Sequence, residues 1–203
     1  MNLSDYYMTA DLHEPPHIEQ REFGVIKKGG GMWRHLSFEN KDKLRSFLIQ
    51  HQPLHVYFST AKYENPSERD MTIKREGWLG SDLIFDIDND HLATPTLESA
   101  AYNAVKLHDF LKADFGFKDM IITFSGSRGY HIHVRDECVQ TFDNHMRAQV
   151  MECFREFDDK GRYNRRYVGL DTMVTPDITR LIRLPGSIHG KTGQECRIIG
   201  GGE

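Results

Sequence analysis

The sequence predicts an α+β (mixed α/β) fold, and three observations carry this. Short apolar runs that read as strands outnumber the segments of helical period. Most of these runs arrive as hairpins rather than in strand–helix–strand units, which argues against a doubly wound parallel sheet. The 203 residues, 38% hydrophobic and 28% charged, suffice for one sizeable core with at most a small additional lobe.

The elements follow in order. "REFGVIKKGGGMWRHLSF" reads as a hairpin, with Phe23 and Val25 on one arm, Trp33, Leu36 and Phe38 on the other, and a Lys-Lys-Gly-Gly-Gly turn between. "NKDKLRSFLIQH" carries Leu44, Phe47 and Leu48 at helical spacing. "HVYFST" (55–60) is a strand, "KYENPSERD" a loop, and "GWLGSDLIFDID" the next strand. "TPTLESAAYNAVKLHDFLKADFGF" reads as a helix with Thr94 as N-cap and Pro95 in the first position. Its apolar stripe is Leu97, Ala101, Ala104, Leu107 or His108, Leu111 and Phe115. "MIITFSGSRGYHIHV" is strand, Gly/Ser loop, strand. "NHMRAQVMECFREFD" is a second helix, "DKGRYNRRYVG" a loop, and a final strand is expected from Cys196.

Bulk properties exclude several classes. No apolar run approaches the ~20 residues of a membrane span, so no membrane association is expected. The N-terminal "MNLSDYYMTADLHEPPHIEQ" is mixed and acidic, unlike a signal peptide. Cys138, Cys153 and Cys196 lie far apart without a CxxC, which predicts neither a disulfide framework nor a zinc knuckle. A reduced, intracellular (cytoplasmic) setting fits best. A net charge of −4 argues against strong non-specific DNA binding, although a local basic face or a bound metal can outweigh the average.

Three stretches carry chemistry. In "DLIFDIDND", Asp86 and Asp88 share one strand face while Phe85 and Ile87 point into the core. Two such close carboxylates repel unless a cation sits between them, and hard divalent ions take oxygen ligands of this kind. A bare D-x-D also arises on solvated sheet faces. In "SGSRGYHIHV", Tyr130, Ile132 and Val134 fill one face, and His131 and His133 share the other. The preceding Ser125-Gly126-Ser127-Arg128-Gly129 turn offers N–H groups and a guanidinium to an anion. Alone it reads as a plain Gly-rich hairpin with surface histidines, and the missing cysteines and the neighbouring anion-type loop argue against a zinc H-x-H. In "LDTMVTPDITRLIRLPGSIHGKTG", Asp171 and Asp177 precede Arg180, Arg183, Ser187, His189 and Lys191. This suits metal and polyphosphate bound together, and it is also what a surface charge run looks like. The three stretches supply carboxylates for metal and donors for a triphosphate, with no evident nucleophile. That combination matches nucleotidyl transfer with two metals.

These stretches also resemble a family. "GWLGSDLIFDIDNDH", "SGSRGYHIHV" and "RLIRLPGSIHGKTG" are similar to the three signature motifs of the small catalytic subunit of archaeal and eukaryotic DNA primases. "REFG", "RHLSF" and "YFSTAKYENP" resemble its N-terminal segments. The resemblance runs in order from residue 6 to about 194 and implies the archaeo-eukaryotic primase–polymerase fold, built around an RRM-like catalytic sheet. It implies synthesis of short primers from NTPs on a single-stranded DNA template with Mg²⁺ or Mn²⁺, two ions expected, alongside the replication machinery.

By the same resemblance, Asp86, Asp88 and Asp171 are the catalytic metal ligands. The third family carboxylate stands eighteen residues before His189, which selects Asp171 over Asp177. Ser125, Arg128, His131, Arg183 and His189 are implied to meet the nucleotide, with Arg21 and Arg34-His35 near the site. A heterodimer with a large primase subunit is implied. Two departures stand out. The zinc-binding knob between the first two motifs is missing, so no zinc is expected, and the helical insertion at about 135–169 is reduced. Ser127 also stands where relatives often carry arginine. Residues 1–203 are therefore expected to form a single, minimal primase catalytic domain. The rival readings are a primase–polymerase of plasmid, viral or repair context that extends primers with dNTPs, and a catalytically silent nucleic-acid-binding subunit.

Overall fold

A computed structural model of the chain describes residues 2–156 and 162–201. The end of the predicted second helix (157–158) and the start of the loop after it (159–161) lie outside the described residues. The chain divides into two compact units, Met1–Gly80 with Thr179–Arg197, and Ser81–Ile178 with Ile198–Glu203.

The first unit is built on an antiparallel sheet. The predicted hairpin forms as β1 (Arg21–Ile26) and β2 (Met32–Leu36), in a register that sets Phe23 against Leu36 and Val25 against Trp33. Lys27 lies 3.8 Å above the Trp33 ring, so the half-exposed indole is covered by a cation. β3 (His55–Tyr63) pairs with the other edge of β1 and runs three residues beyond the predicted strand. Beside β3 lie β4 (Trp78–Ser81) and, pairing Tyr57 with Arg183, β8 (Leu181–Arg183). α2 (Lys41–His51) starts where the Asn40 side chain accepts from the Lys43 amide, and it buries Leu44 and Leu48. Two short helices went unpredicted. α1 (Leu3–Thr9) is capped by Asn2, and α3 (Met71–Glu76) by Asp70, the last residue of the predicted loop.

The second unit is a sheet in the order β5-β7-β6-β9, namely β5 (Leu83–Asp88), β7 (Gly129–Val134), β6 (Met120–Phe124) and β9 (Arg197–Gly201). One face packs on α4 (Leu97–Asp114), with Leu83, Phe85, Ile87, Ile132 and Val134 meeting Ala100, Ala104, Leu107 and Leu111 in one core. α5 (Asn144–Glu152) is capped by Asp143, whose side chain accepts from the Met146 amide. No helix among the described residues is long and apolar enough to cross a membrane.

Four expectations need correction. "GWLGSDLIFDID" is two strands in two sheets rather than one. The break falls where Arg147 Nη2 and Nη1 donate to the Ser81 and Asp82 carbonyls at 2.7 and 2.8 Å. Arg147 is fully buried, and burial lowers its pKa to about 10. The long helix is capped by Thr96, whose hydroxyl accepts from Ser99 N at 3.1 Å, and Thr94 and Pro95 stay outside. Its buried stripe accordingly starts at Ala100, and Leu97 is exposed. The last strand begins at Arg197, with Cys196 buried before it.

A buried ion cluster ties the first unit together. Lys74, fully enclosed on α3, reaches Glu22 on β1 at 2.6 Å, and Arg34 on β2 grips the same carboxylate at 2.9 and 3.3 Å. Burial alone would raise the Glu22 pKa, but the hydrogen bonds from Arg34 and Lys74 outweigh it and hold the carboxyl below its ordinary value of 4.5. Removing one partner of a buried pair strands the other, at a cost of about 3–5 kcal/mol. Glu22→Ala is therefore expected to lower unfolding stability by roughly that amount in urea melts near pH 7. Because the folded pKa is depressed, the contribution of Glu22 is complete above 4.5 and fades as pH falls through the lower folded value. In Glu22→Gln that part of the acid dependence should disappear.

Candidate active site

The second unit brings two of the sequence motifs face to face. Within β5 the alternation puts Ile84, Asp86 and Asp88 opposite the core face. β7 lies antiparallel beside it, pairing Asp86 with His131, Ile84 with His133 and Asp88 with Gly129. His131 and His133 thus share the face of the two acids, while Tyr130, Ile132 and Val134 join the core. His131 Nε2 stands 3.7 Å from Asp86 Oδ1. From the other side, Thr123 Oγ1 on β6 lies 3.5 Å from both His131 Nδ1 and His133 Nε2.

The β6–β7 loop is shaped by its own hydrogen bonds and by the acids. Ser125 N donates to the Gly129 carbonyl at 3.0 Å, and Gly129 N donates to Ser125 Oγ at 3.3 Å. Gly126 takes φ 80°, a left-handed conformation that glycine adopts without strain. Gly129 is required for a different reason: a Cβ there would strike Asp88 Oδ1 and the Ile87 carbonyl, with Asp88 Cα only 3.0 Å away. Arg128 turns onto the carboxylates, with Nε on Asp88 Oδ2 and Nη1 on Asp90 Oδ2, both at 2.8 Å. Asp88 raises the Arg128 pKa first, by charge and by hydrogen bond, with help from Asp90 and Asp86.

Asp171 joins this group through the backbone. Its amide donates to the Asp86 carbonyl at 3.0 Å, and its Oδ1 accepts from Met173 N at 2.9 Å. Asp177, the rival acid, lies instead within the electrostatic field of Arg147. Among the described residues no three His, Cys, Asp or Glu side chains converge as a ready cage for an ion. The donor set nonetheless fits Mg²⁺ or Mn²⁺. Such ions are commonly held by one or two carboxylates, with waters and substrate phosphates completing the shell.

The remaining candidates belong to the first unit. Arg183 sits on β8 opposite Tyr57, with Nη1 donating to His55 Nδ1 and Nη2 to the Tyr57 hydroxyl, both at 3.0 Å. The His189 ring meets His55 edge-on at 4.9 Å. Burial, then the charges of Arg183 and Lys191, lower the His189 pKa. Arg34 keeps 40% of its side chain exposed while bound to Glu22. Arg21 is fully enclosed, and its guanidinium donates to the carbonyls of Pro16, Ser59 and Thr60. That geometry makes Arg21 a brace between β1 and β3. His55 and Tyr57 did not emerge as site residues from the sequence, although their alternation in "HVYFST" already set them on one face.

Comparison with known proteins now adds the identity of the family. The family model described as DNA primase small subunit matches residues 85–200. The DNA primase small subunit of Pyrobaculum calidifontis is 38% identical over 231 residues, covering 93% of this chain and 73% of its own length. That of Archaeoglobus fulgidus is 33% identical, covering 93% and 76%. The chain belongs to the DNA primase small-subunit family. Both aligned spans are longer than this chain's 203 residues, so those primase subunits carry inserted residues within the match. The polymerase domain of Mycobacterium tuberculosis ligase D, solved in complex with DNA, superposes with a TM-score of 0.63 at 15% identity, covering 98% of this chain and 79% of that one. This likeness shows the α+β primase–polymerase fold.

Within this primase fold, the crowding at Gly129 yields a measurable expectation. Overpacking of a tight site typically costs about 1–3 kcal/mol. Gly129→Ala should lose about that much stability in thermal melts, and it should also weaken Mn²⁺-induced stabilisation, since the intruding methyl displaces Asp88.

Proposed function

We propose that this chain is the catalytic small subunit of a DNA primase, making short primers from nucleoside triphosphates on single-stranded DNA. The observation that supports this reading is the pair Asp86 and Asp88 on one face of β5, with Asp171 tied to the same strand by its backbone amide, in a chain of the primase small-subunit family. The two compact units are proposed to act as one catalytic domain with a reduced insertion at about 135–169.

In this reading Asp86, Asp88 and Asp171 hold two divalent ions, Mg²⁺ or Mn²⁺. When bound, such ions lower the pKa of an attacking hydroxyl and stabilise charge on the reacting phosphate. Arg128 releases Asp88 and Asp90 and turns its guanidinium to the triphosphate. Ser125, His131, Arg183 and His189 add donors, and such preorganised donors act where the leaving pyrophosphate gains charge. Arg34 keeps an exposed flank for nucleotide, whereas Arg21 supports the site from within the fold. Aligned nucleotides require no protein nucleophile, in keeping with a site built of acids, imidazoles and guanidinium. A large primase subunit is the proposed partner, and the reaction places the protein inside the cell with the replication machinery. Extension of primers with dNTPs is the second reading, and the same residues would serve it.

The experiment is incubation of the purified chain with NTPs or dNTPs, a DNA template and Mn²⁺. De novo products from NTPs support priming, extension of a supplied primer alone supports the second reading, and no product with either defeats both. Asp86→Ala or Asp88→Ala should abolish product while leaving the fold intact by circular dichroism. Asp171→Asn should remove activity and Asp177→Asn should keep most of it. The reverse ranking would assign the third ligand to Asp177. Charge-assisted bonds to phosphate are worth roughly 1.5–3 kcal/mol, so Arg128→Ala or His189→Ala should raise the nucleotide KM about tenfold or more.

A further inference from the structure

The first unit holds a compact basic and aromatic cluster that the motifs alone do not explain. Arg183 is nearly buried, and its guanidinium is fixed on three sides. Nη1 donates to His55 Nδ1, Nη2 donates to the Tyr57 hydroxyl, and the guanidinium carbon stands 4.8 Å above the Tyr57 ring. An arginine is always charged and has only donors, so the His55 Nδ1 that faces it must be a bare acceptor. That requirement selects one tautomer, with the proton on Nε2. Burial first, then the charge of Arg183, with His189 and Lys191 adding to it, push the His55 pKa down to about 4, so the ring stays neutral under working conditions. The chain after β8 closes over this imidazole. Gly190 comes so near that a Cβ there would lie 2.6 Å from Leu54 Cβ and 3.0 Å from His55 Nε2. His55 is therefore held between β8 and the His189-Gly190 turn, both of which carry candidate nucleotide contacts.

We propose that His55 is a positioning residue for nucleotide binding: as a neutral acceptor it locks the Arg183 guanidinium against Tyr57 and presets the direction in which Arg183 meets the phosphates. A free arginine must be ordered at the moment of binding, which costs side-chain entropy, whereas a braced one is already aimed. The acceptor must be neutral and short. A carboxylate in its place would cancel the charge that phosphate recognises, and an ammonium would repel it. Asparagine is the substitute that keeps the role, because its Oδ1 can stand near the position of Nδ1 as an acceptor.

This inference rests on the reading of Arg183 as a phosphate contact, and the experiment separates the two. Steady-state primer synthesis is measured for His55→Phe, His55→Asn, Arg183→Ala and the double variant His55→Phe with Arg183→Ala. His55→Phe should raise the nucleotide KM about fivefold to tenfold with kcat within about twofold, less than the loss of a whole charge-assisted phosphate bond because Arg183 itself remains. His55→Asn should stay within about twofold of the parent. In the Arg183→Ala background, His55→Phe should add no further change. In parallel, imidazole nitrogen NMR on the unmodified protein near pH 7 should show His55 Nδ1 unprotonated, with this preference lost in Arg183→Ala. A His55→Phe effect fully additive with Arg183→Ala, no KM change in His55→Phe, or a protonated Nδ1 each overturns the inference. An unchanged KM in Arg183→Ala overturns the phosphate reading of Arg183, and the NMR result then reports separately on the brace.

Discussion

The β5–β7 register is the constraint on which the candidate site depends. Asp86 lies opposite His131 and Asp88 opposite Gly129, so acids and imidazoles share a face, with the end of the Ser125–Gly129 loop beside them, because two strands are paired in one alignment. A slip by one residue would send both acids into the core with Leu107 and Leu111 and turn Phe85 and Ile87 outward. The hydrophobic face under α4 forbids that slip. Packing energy on one side of the sheet thus fixes chemical geometry on the other, and the acids gain their precision from residues that never touch substrate.

Electrostatics then decides how such a face survives in the folded state. Like charges at this spacing repel, and the structure answers with Arg128 across Asp88 and Asp90. The first unit applies the same logic where water is scarcer. Glu22 is enclosed between Lys74 and Arg34, and His55 is kept uncharged among Arg183, His189 and Lys191. At Glu22 and at His55, burial and the charged partners together set the protonation state of the central group, and that state determines what it accepts or donates.

Much of this was legible from periodicity. Asp86 with Asp88 and His131 with His133 fall on one face because strand side chains alternate, a rule that needs only local sequence. The β1–β2 hairpin could be read for the same reason, the α+β class from the excess of hairpin strands, and the three motifs from their resemblance to primase small subunits. What stayed hidden depends on distant partners. The break between β4 and β5 is set by Arg147, more than sixty residues away, which captures two carbonyls. The choice of Thr96 over Thr94 as cap turns on which hydroxyl reaches a third-position amide. Arg21 carries the same charge as Arg128, yet one is sealed under three carbonyls and the other is largely exposed, and no local pattern distinguishes them. His55 acquires its meaning only when β8 is laid beside β3.

The clasp of Arg128 over Asp88 and Asp90 has one more consequence. A site designed around a dissociable cation risks being a fault line whenever that cation is scarce, because its bare charges would push the strands apart. Here the chain carries a tethered stand-in. On the proposed reading, the fold would not wait for the ion, and its arrival would be an exchange of counterions rather than a folding event. On the same reading, the guanidinium that such an exchange would free stands beside the place where the triphosphate would be held.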